Sequence, residues 1–144
     1  MHIRRARAED ARAIAPLLSE LGYPTNADAI AARFARVDLS SDDIAWLAFD
    51  SAYSDGTAIG FAAGHLMWPY ELDRPVAELT ALVVDPSRRG EGAGRALVAV
   101  FEAWATAAGS ARATVASAFR RTGAHAFYER LGYEQLAKKF EKSF

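Results

Sequence analysis

Residues 83–97 read VVDPSRRGEGAGRAL, and this stretch constrains the fold more than any other. An apolar run closes on Asp85-Pro86, three glycines alternate at 90, 92 and 94, and an apolar helical pattern follows at once. Strand, glycine turn and helix in that order place unpaired backbone N–H groups and a positive partial charge at one point, ready for an anion. Glycines there remove the side chains that would keep a phosphate from the amides. By itself the pattern is compatible with several ligands, and spacing has to choose among them.

A P-loop requires Gly-Lys-Ser or Gly-Lys-Thr, whereas Gly94 is followed by Arg95 and Ala96, so neither the phosphate lysine nor the magnesium hydroxyl is present. A dinucleotide fingerprint counted from Gly90 and Gly92 needs glycine at 95, where the chain has Arg95. The surroundings also oppose it. Met1 to Ala6 reads as a first strand, and Ile14, Leu17, Leu18 and Leu21 recur at helical spacing within a helix of about 9–21, stopped by Gly22 and Pro24. Pro16 either kinks that helix or delays its start. Asn26 caps a second helix reaching about Arg36. Strands follow at Ile44–Asp50, Ala58–Trp68 and Val76–Val84, the first two joined by a Ser54-Asp55-Gly56 turn and the last two by a proline-bounded loop. After the glycine turn come a helix ending near Gly109, a strand at Arg112–Ala118, a helix carrying Ala124, Phe127, Tyr128 and Leu131, and a last strand within Glu134–Phe144. Antiparallel strands dominate this order, and repeated parallel crossovers are absent.

With 144 residues the chain suits one domain, 1–144, with one site. A net charge of -1 removes the basic footprint of a nucleic-acid binder. The basic residues are nonetheless uneven: Lys138, Lys139 and Lys142 are the only lysines among seventeen, and the rest are Arg, whose planar fork suits phosphate and carboxylate. With no cysteine, thiol nucleophiles, disulfides and Cys-ligated zinc are excluded, and His2, His65 and His125 are too scattered for a metal motif. No apolar stretch reaches a membrane span, and the N-terminus lacks a signal-like core, so the expected location is the cytoplasm.

Arg89-x-x-Gly92-x-Gly94, set between Leu82-Val83-Val84-Asp85-Pro86 and Ala96-Leu97-Val98, resembles the acyl-CoA motif of the GCN5-related N-acetyltransferase superfamily. Ala124 to Tyr133, with Phe127-Tyr128 and Leu131-Gly132-Tyr133, is similar to that superfamily's second landmark and lies at the matching distance. The resemblance covers essentially the whole chain. It implies an α/β (α+β) fold with a mixed, mostly antiparallel sheet of six to seven strands flanked by four helices. It implies acetyl-CoA as cosubstrate, an amine acceptor, no metal, no nucleic-acid or membrane partner, and a homodimer.

On the same resemblance the pantetheine arm lies along the backbone of Leu82, Val83 and Val84. The pyrophosphate sits over the amides of Arg89, Gly90, Glu91, Gly92, Ala93, Gly94 and Arg95. Arg88, Arg89 and Arg95 are either phosphate contacts or solvated surface. Amide formation requires a neutral amine, and the departing thiolate requires a proton. Tyr128 is the implied donor, since a phenol of about 10 stands above a thiol of about 8.5; the alternative is a core aromatic on the helix's apolar stripe. Glu78 is the candidate proton acceptor or else a solvated carboxylate, with Thr80 two residues along. His65 has suitable chemistry but is equally a structural hydrogen-bonding group. Where many members of the superfamily carry Asn, six residues before the Phe of the landmark, this chain has Arg121.

The implied acceptor region draws on the first two helices and the 68–75 loop, including Tyr23, Trp68 and Tyr70. Its acids, Asp38, Asp42, Asp43, Glu71 and Asp73, favour a cationic amine, while Arg33 and Arg36 favour an acceptor bearing phosphonate or carboxylate. Arg121-x-x-Ala124-His125-x-Phe127-Tyr128 and the ending through Phe140 and Lys142 are similar to aminoalkylphosphonate acetyltransferases. The competing reading is a CoA-binding sensor or interaction protein that keeps the cradle without turnover.

Overall fold

The computed structural model describes residues 1–38, 40–52, 56–116 and 122–144. Its elements are β1 (His2–Arg5), α1 (Ala11–Leu21), α2 (Ala27–Val37), β2 (Asp43–Phe49), β3 (Ala58–Met67), β4 (Val76–Val84), α3 (Ala93–Ala107), β5 (Arg112–Val115) and α4 (Thr122–Arg130). Short 3-10 turns at Ala8–Asp10 and Pro86–Arg88 precede α1 and the glycine turn. The regular part of α1 thus begins at Ala11, later than the apolar spacing predicts. Pro16 and Arg12 both lie on its exposed face, where water can reach the carbonyl that Pro16 leaves without a donor. Asn26 caps α2 as expected, its Oδ1 accepting from the Ala29 amide at 2.9 Å. The expected turn residues Ser54 and Asp55, the end of the fifth strand at Ala118, and Arg120 and Arg121 lie outside the described residues.

The strands are ordered β1-β2-β3-β4-β5, antiparallel except for the parallel β4–β5 pair. Two apolar layers cover the sheet. On one face α3 packs Leu97, Val98 and Phe101 against Trp46, Ala62 and Leu79. On the other, Ile14 and Leu17 of α1 with Ile30 and Phe34 of α2 meet Leu47, Phe61 and Val83. Gly64 makes the first layer tight: a Cβ there would stand 2.9 Å from the Trp104 ring and 3.1 Å from Phe101. Only glycine lets β3 lie so close under α3, where Trp46, Phe101 and Trp104 pack edge-on or tilted with centroids 5.7 to 6.4 Å apart.

The sheet has five strands among the described residues, not six or seven, because Glu134–Phe144 forms no strand. Every residue of that segment is exposed, Leu136 and Phe140 at 85% and 92%. With no buried face, alternation has nothing to fix a register against, and Lys138, Lys139 and Lys142 place charge on both sides of any strand.

The start of α1 is tied to β1 by one ion pair. Arg4 donates to both Asp10 oxygens at 2.7 and 2.8 Å, and the Arg7 amide donates to Asp10 at 2.8 Å. The Arg4 hydrogen bond chiefly holds the Asp10 carboxyl below the usual carboxylate range. A carboxyl lowered on folding stabilises the fold above its unfolded value of about 3.9, and that contribution disappears as pH falls through the folded value. Asp10→Asn is therefore expected to cost about 1 kcal/mol near neutral pH, and the gap to wild type should close below about pH 3 in urea melts.

Candidate active site

The glycine turn is built from its first residue onward. Asp85 stops β4, its Oδ1 accepting from the Ser87 amide at 2.9 Å and from the Ser87 hydroxyl at 2.7 Å. These bonds, the hydroxyl's first, lower the Asp85 carboxyl below its ordinary range. Arg88 then donates from Nε to Glu91 at 2.9 Å and reaches Asp50 at 3.2 Å, so it braces the turn and neutralises the one acid inside it. Gly92 takes a left-handed φ of +90° at the cap of α3, and Gly90 one of +85°. The first helical bond of α3 runs from the Ala96 amide to the Gly92 carbonyl at 3.0 Å. Ala93, Gly94 and Arg95 therefore present amides with no carbonyl inside the helix, and Gly92 has no side chain with which to cap them. A Cβ at Gly90 or Gly92 would meet no atom within 4 Å, so the space before these amides opens outward. That arrangement can receive an anion. Arg89 leans to Glu20 at 3.5 Å on the surface, and Arg95 is exposed on the first turn of α3.

β4 leads into this turn with part of its edge open. Its pairing with β5 runs from Val76 opposite Arg112 to Leu79 opposite Val115, and no described residue pairs with the β5 side beyond that point. Leu82, Val83 and Val84 lie in the stretch past the end of that ladder. The other ladder, with β3, slips by one residue: Gly64 pairs with Leu79 and Ala63 with Ala81, leaving Thr80 as a bulge. The faces exchange there. Ala77 and Leu79 pack with α3, but so do Leu82 and Val84, whereas Ala81 and Val83 pack toward α1 and α2. Glu78, alternating with Ala77 and Leu79, lies on the α1/α2 side, and Thr80 lines a cleft of about 190 Å³ on that side.

The cleft floor is apolar, with Ile14, Ile30 and Phe34 among its residues, and Arg33, Asp38 and Asp43 bring charge to it. Asp43 also belongs to a row that sequence reasoning did not assemble. It pairs in register with His65, which pairs in register with Glu78, so the three residues lie side by side across β2, β3 and β4. His65 Nδ1 and Asp43 Oδ1 are 3.0 Å apart, with the two side chains 40% and 28% exposed. A signal for the pair was present: a hairpin centred on residue 54 sets residue 43 opposite 65. Of the other expected acceptor residues, Asp42 accepts from Trp68 Nε1 at 3.3 Å outside the cleft lining, and Tyr23 and Tyr70 are exposed.

α4 brings the second landmark to the glycine turn. A Cβ on Gly94 would sit 3.5 Å from the Phe127 ring and 3.6 Å from Val84, which places Phe127 over the junction of β4 and α3. Tyr128 is part-buried beside it, ring centroids 5.3 Å apart, and 6.0 Å from the Tyr133 ring. Tyr133 donates its hydroxyl to Glu102 at 3.0 Å, and burial, then that carboxylate, push its phenol well above the usual range. Tyr133 is thus a weaker proton donor than an ordinary phenol.

Residues 11–133 match the Acetyltransferase (GNAT) family. The chain is 27% identical to the aminoalkylphosphonate N-acetyltransferase of Salmonella typhimurium over 98% of its own length and 90% of that protein. It is 32% identical to the aminoglycoside N(6')-acetyltransferase type 1 of Stenotrophomonas maltophilia, over 94% of this chain and 88% of the other. Its fold superposes on aminoglycoside N-acetyltransferase AAC(6')-Iy, solved in complex with CoA, with a TM-score of 0.83 at 23% identity, covering 99% and 93% of the two chains.

Proposed function

The chain belongs to the acetyltransferase (GNAT) family and is an acetyl-CoA-dependent enzyme; from that premise we propose that it acetylates the primary amine of a small molecule or peptide by direct attack in a ternary complex. The observation that carries the reading is the continuity of an uncapped helix N-terminus with an open strand edge that leads back to a carboxylate row. Amides from Arg89 through Arg95 take the pyrophosphate, and the free edge of Leu82–Val84 takes the pantetheine amides. From Val84 back to Glu78 β4 spans about 20 Å, enough to hold phosphates far from the reacting end.

At that end Glu78 accepts a proton from the bound ammonium, and the neutral amine attacks the thioester carbonyl. The tetrahedral adduct collapses with rupture of the C–S bond, Tyr128 supplies the proton to the departing thiolate, and the second proton of the attacking nitrogen, lost as the amide forms, restores the Tyr128 phenol. Thr80, the bulge residue, lines the cleft between the sheet and α1/α2, which is the acceptor site in this reading, and Glu78 lies two residues before it on the same side of the sheet. The exposed apolar side chains of Leu136 and Phe140 support a homodimer.

Charge at the cleft does not single out an acceptor, since Arg33 suits a phosphonate or carboxylate and Asp38 and Asp43 suit further cationic groups. Volume discriminates better: about 190 Å³ falls below the roughly 300–1,000 Å³ typical of drug-sized ligand sites, which favours a small amine over a multi-ring aminoglycoside. The test is thiol release from acetyl-CoA against a panel of primary amines that includes aminoalkylphosphonates and aminoglycosides. Amine-dependent release, strongest for small acceptors, is expected. Tight acetyl-CoA binding with no release on any amine would favour the sensor reading instead.

A further inference from the structure

We propose that His65, held by Asp43, is a proton relay that carries the acceptor's proton from Glu78 to water. The inference rests on the transfer reading above and assigns it two residues beyond Glu78 and Tyr128. Three independent features point to it. Asp43, His65 and Glu78 are consecutive register partners across three strands and lie on one face of the sheet. In such a row, neighbouring Cβ atoms stand about 5 Å apart, within reach of direct or one-water proton transfer. Asp43 binds Nδ1 of His65 at 3.0 Å, which fixes the ring and directs Nε2 away from the carboxylate. The row also adjoins both the cleft and solvent. Thr80, two residues along β4 from Glu78, and Asp43 line the acceptor cleft, and the His65 side chain is 40% exposed, so the imidazole can exchange with solvent.

The other charged groups around His65 leave this route open. On β3 its neighbours on the same face are Ala63 and Met67, neither of them charged. Asp42, just before β2, is engaged by Trp68, and Arg5, Arg33 and Asp38 line the adjoining cleft. Glu78 and Asp43 are therefore the two carboxylates in register with the ring.

The proton balance closes without any other reactant: one nitrogen proton leaves through Glu78 and His65 to water, and the second replaces the one Tyr128 gives to the thiolate. The ammonium N–H bond breaks and its proton passes to the Glu78 carboxylate. Glu78 hands a proton to His65 Nε2, giving an imidazolium paired with Asp43. The imidazolium returns a proton to water, and both groups are ready for the next acceptor. Asp43 is a positioning residue that keeps one ring nitrogen occupied and the other available.

The experiment follows kcat/KM for a simple alkyl primary amine across pH in wild type, His65→Ala, His65→Gln and Asp43→Asn. An alkylammonium deprotonates by itself only near pH 10, so a relay matters at neutral pH and becomes dispensable as free amine accumulates. His65→Ala and His65→Gln are expected to lose about 20-fold near pH 7, and Asp43→Asn about fivefold, with each deficit shrinking to about twofold near pH 10. Unchanged acetyl-CoA affinity shows that each variant is folded. Should the Ala variant bind acetyl-CoA poorly, the Gln variant, which retains a donor for Asp43, decides. A deficit of the same factor at every pH means a structural histidine and overturns the relay, as does no deficit. Wild-type protein that releases no thiol with any amine overturns the transfer reading and the relay with it.

Discussion

Gly92→Glu is expected to weaken acetyl-CoA binding by about 100-fold, equivalent to about 2.8 kcal/mol. Two effects contribute and can be separated. Gly92 has φ of +90°, where a side chain costs roughly 1–2 kcal/mol, and relaxing that strain would disturb the first turn of α3. The second effect is charge. A Cβ at Gly92 meets no protein atom within 4 Å, so the new carboxylate projects into the space that the amides of Ala93, Gly94 and Arg95 face, where the proposal puts a pyrophosphate. Gly92→Ala carries the strain without the charge and is expected to cost only about tenfold on the same scale. Titration calorimetry with acetyl-CoA, alongside a thermal melt to confirm folding, distinguishes them. Equal affinities for the Glu and Ala variants would place the phosphates elsewhere.

That turn was the most legible part of the chain because its information is local. Positive φ at 90 and 92 needs glycine, and Asp85-Pro86 marks the end of a strand, so residue identity alone conveys backbone shape. The element order was legible for a similar reason, since periodicity and caps such as Asn26 act within a few residues. Strand faces were not. Simple alternation keeps Leu82 and Val84 on the same face as Glu78, yet the bulge at Thr80 moves them to the α3 side. A bulge is selected by packing on both faces at once, and nothing in the local sequence VAELTALVV announces it. His65 shows the same limit in another form. Its chemistry was evident, but its partner Asp43 is 22 residues away and becomes a partner only through hairpin register. The expected last strand within Glu134–Phe144 does not form because burial depends on a partner surface, and among the described residues Leu136, Phe140 and Phe144 stay exposed. What sequence conveys here is shape set by single residues; what it conceals is juxtaposition set by the sheet.

The proposed reading makes Tyr128 the proton donor, so Tyr128→Phe is the second large effect. The thiolate leaving group takes a proton readily from a phenol near 10 and less readily from one raised above that. Tyr133 is raised, by burial and by the Glu102 carboxylate that its hydroxyl already serves at 3.0 Å. Tyr128, on α4 next to Phe127, which packs over Gly94, is the donor in the proposed reading. Loss of its hydroxyl is expected to lower kcat about 100-fold, the lower end of what a positioned acid contributes, with acetyl-CoA affinity within about twofold of wild type. Tyr133→Phe is the matched control: the same oxygen is removed one ring away, and kcat should stay within about threefold while stability falls by about 1 kcal/mol from the lost Glu102 bond. Steady-state rates with saturating acetyl-CoA and amine measure both variants. A Tyr128→Phe enzyme as fast as wild type would remove the donor role from this residue. Equal losses in the two variants would instead mean that the hydroxyl hydrogen bonds of the cluster support the site, without a donor role peculiar to Tyr128, because substitution by Phe preserves ring volume and changes only the hydroxyl.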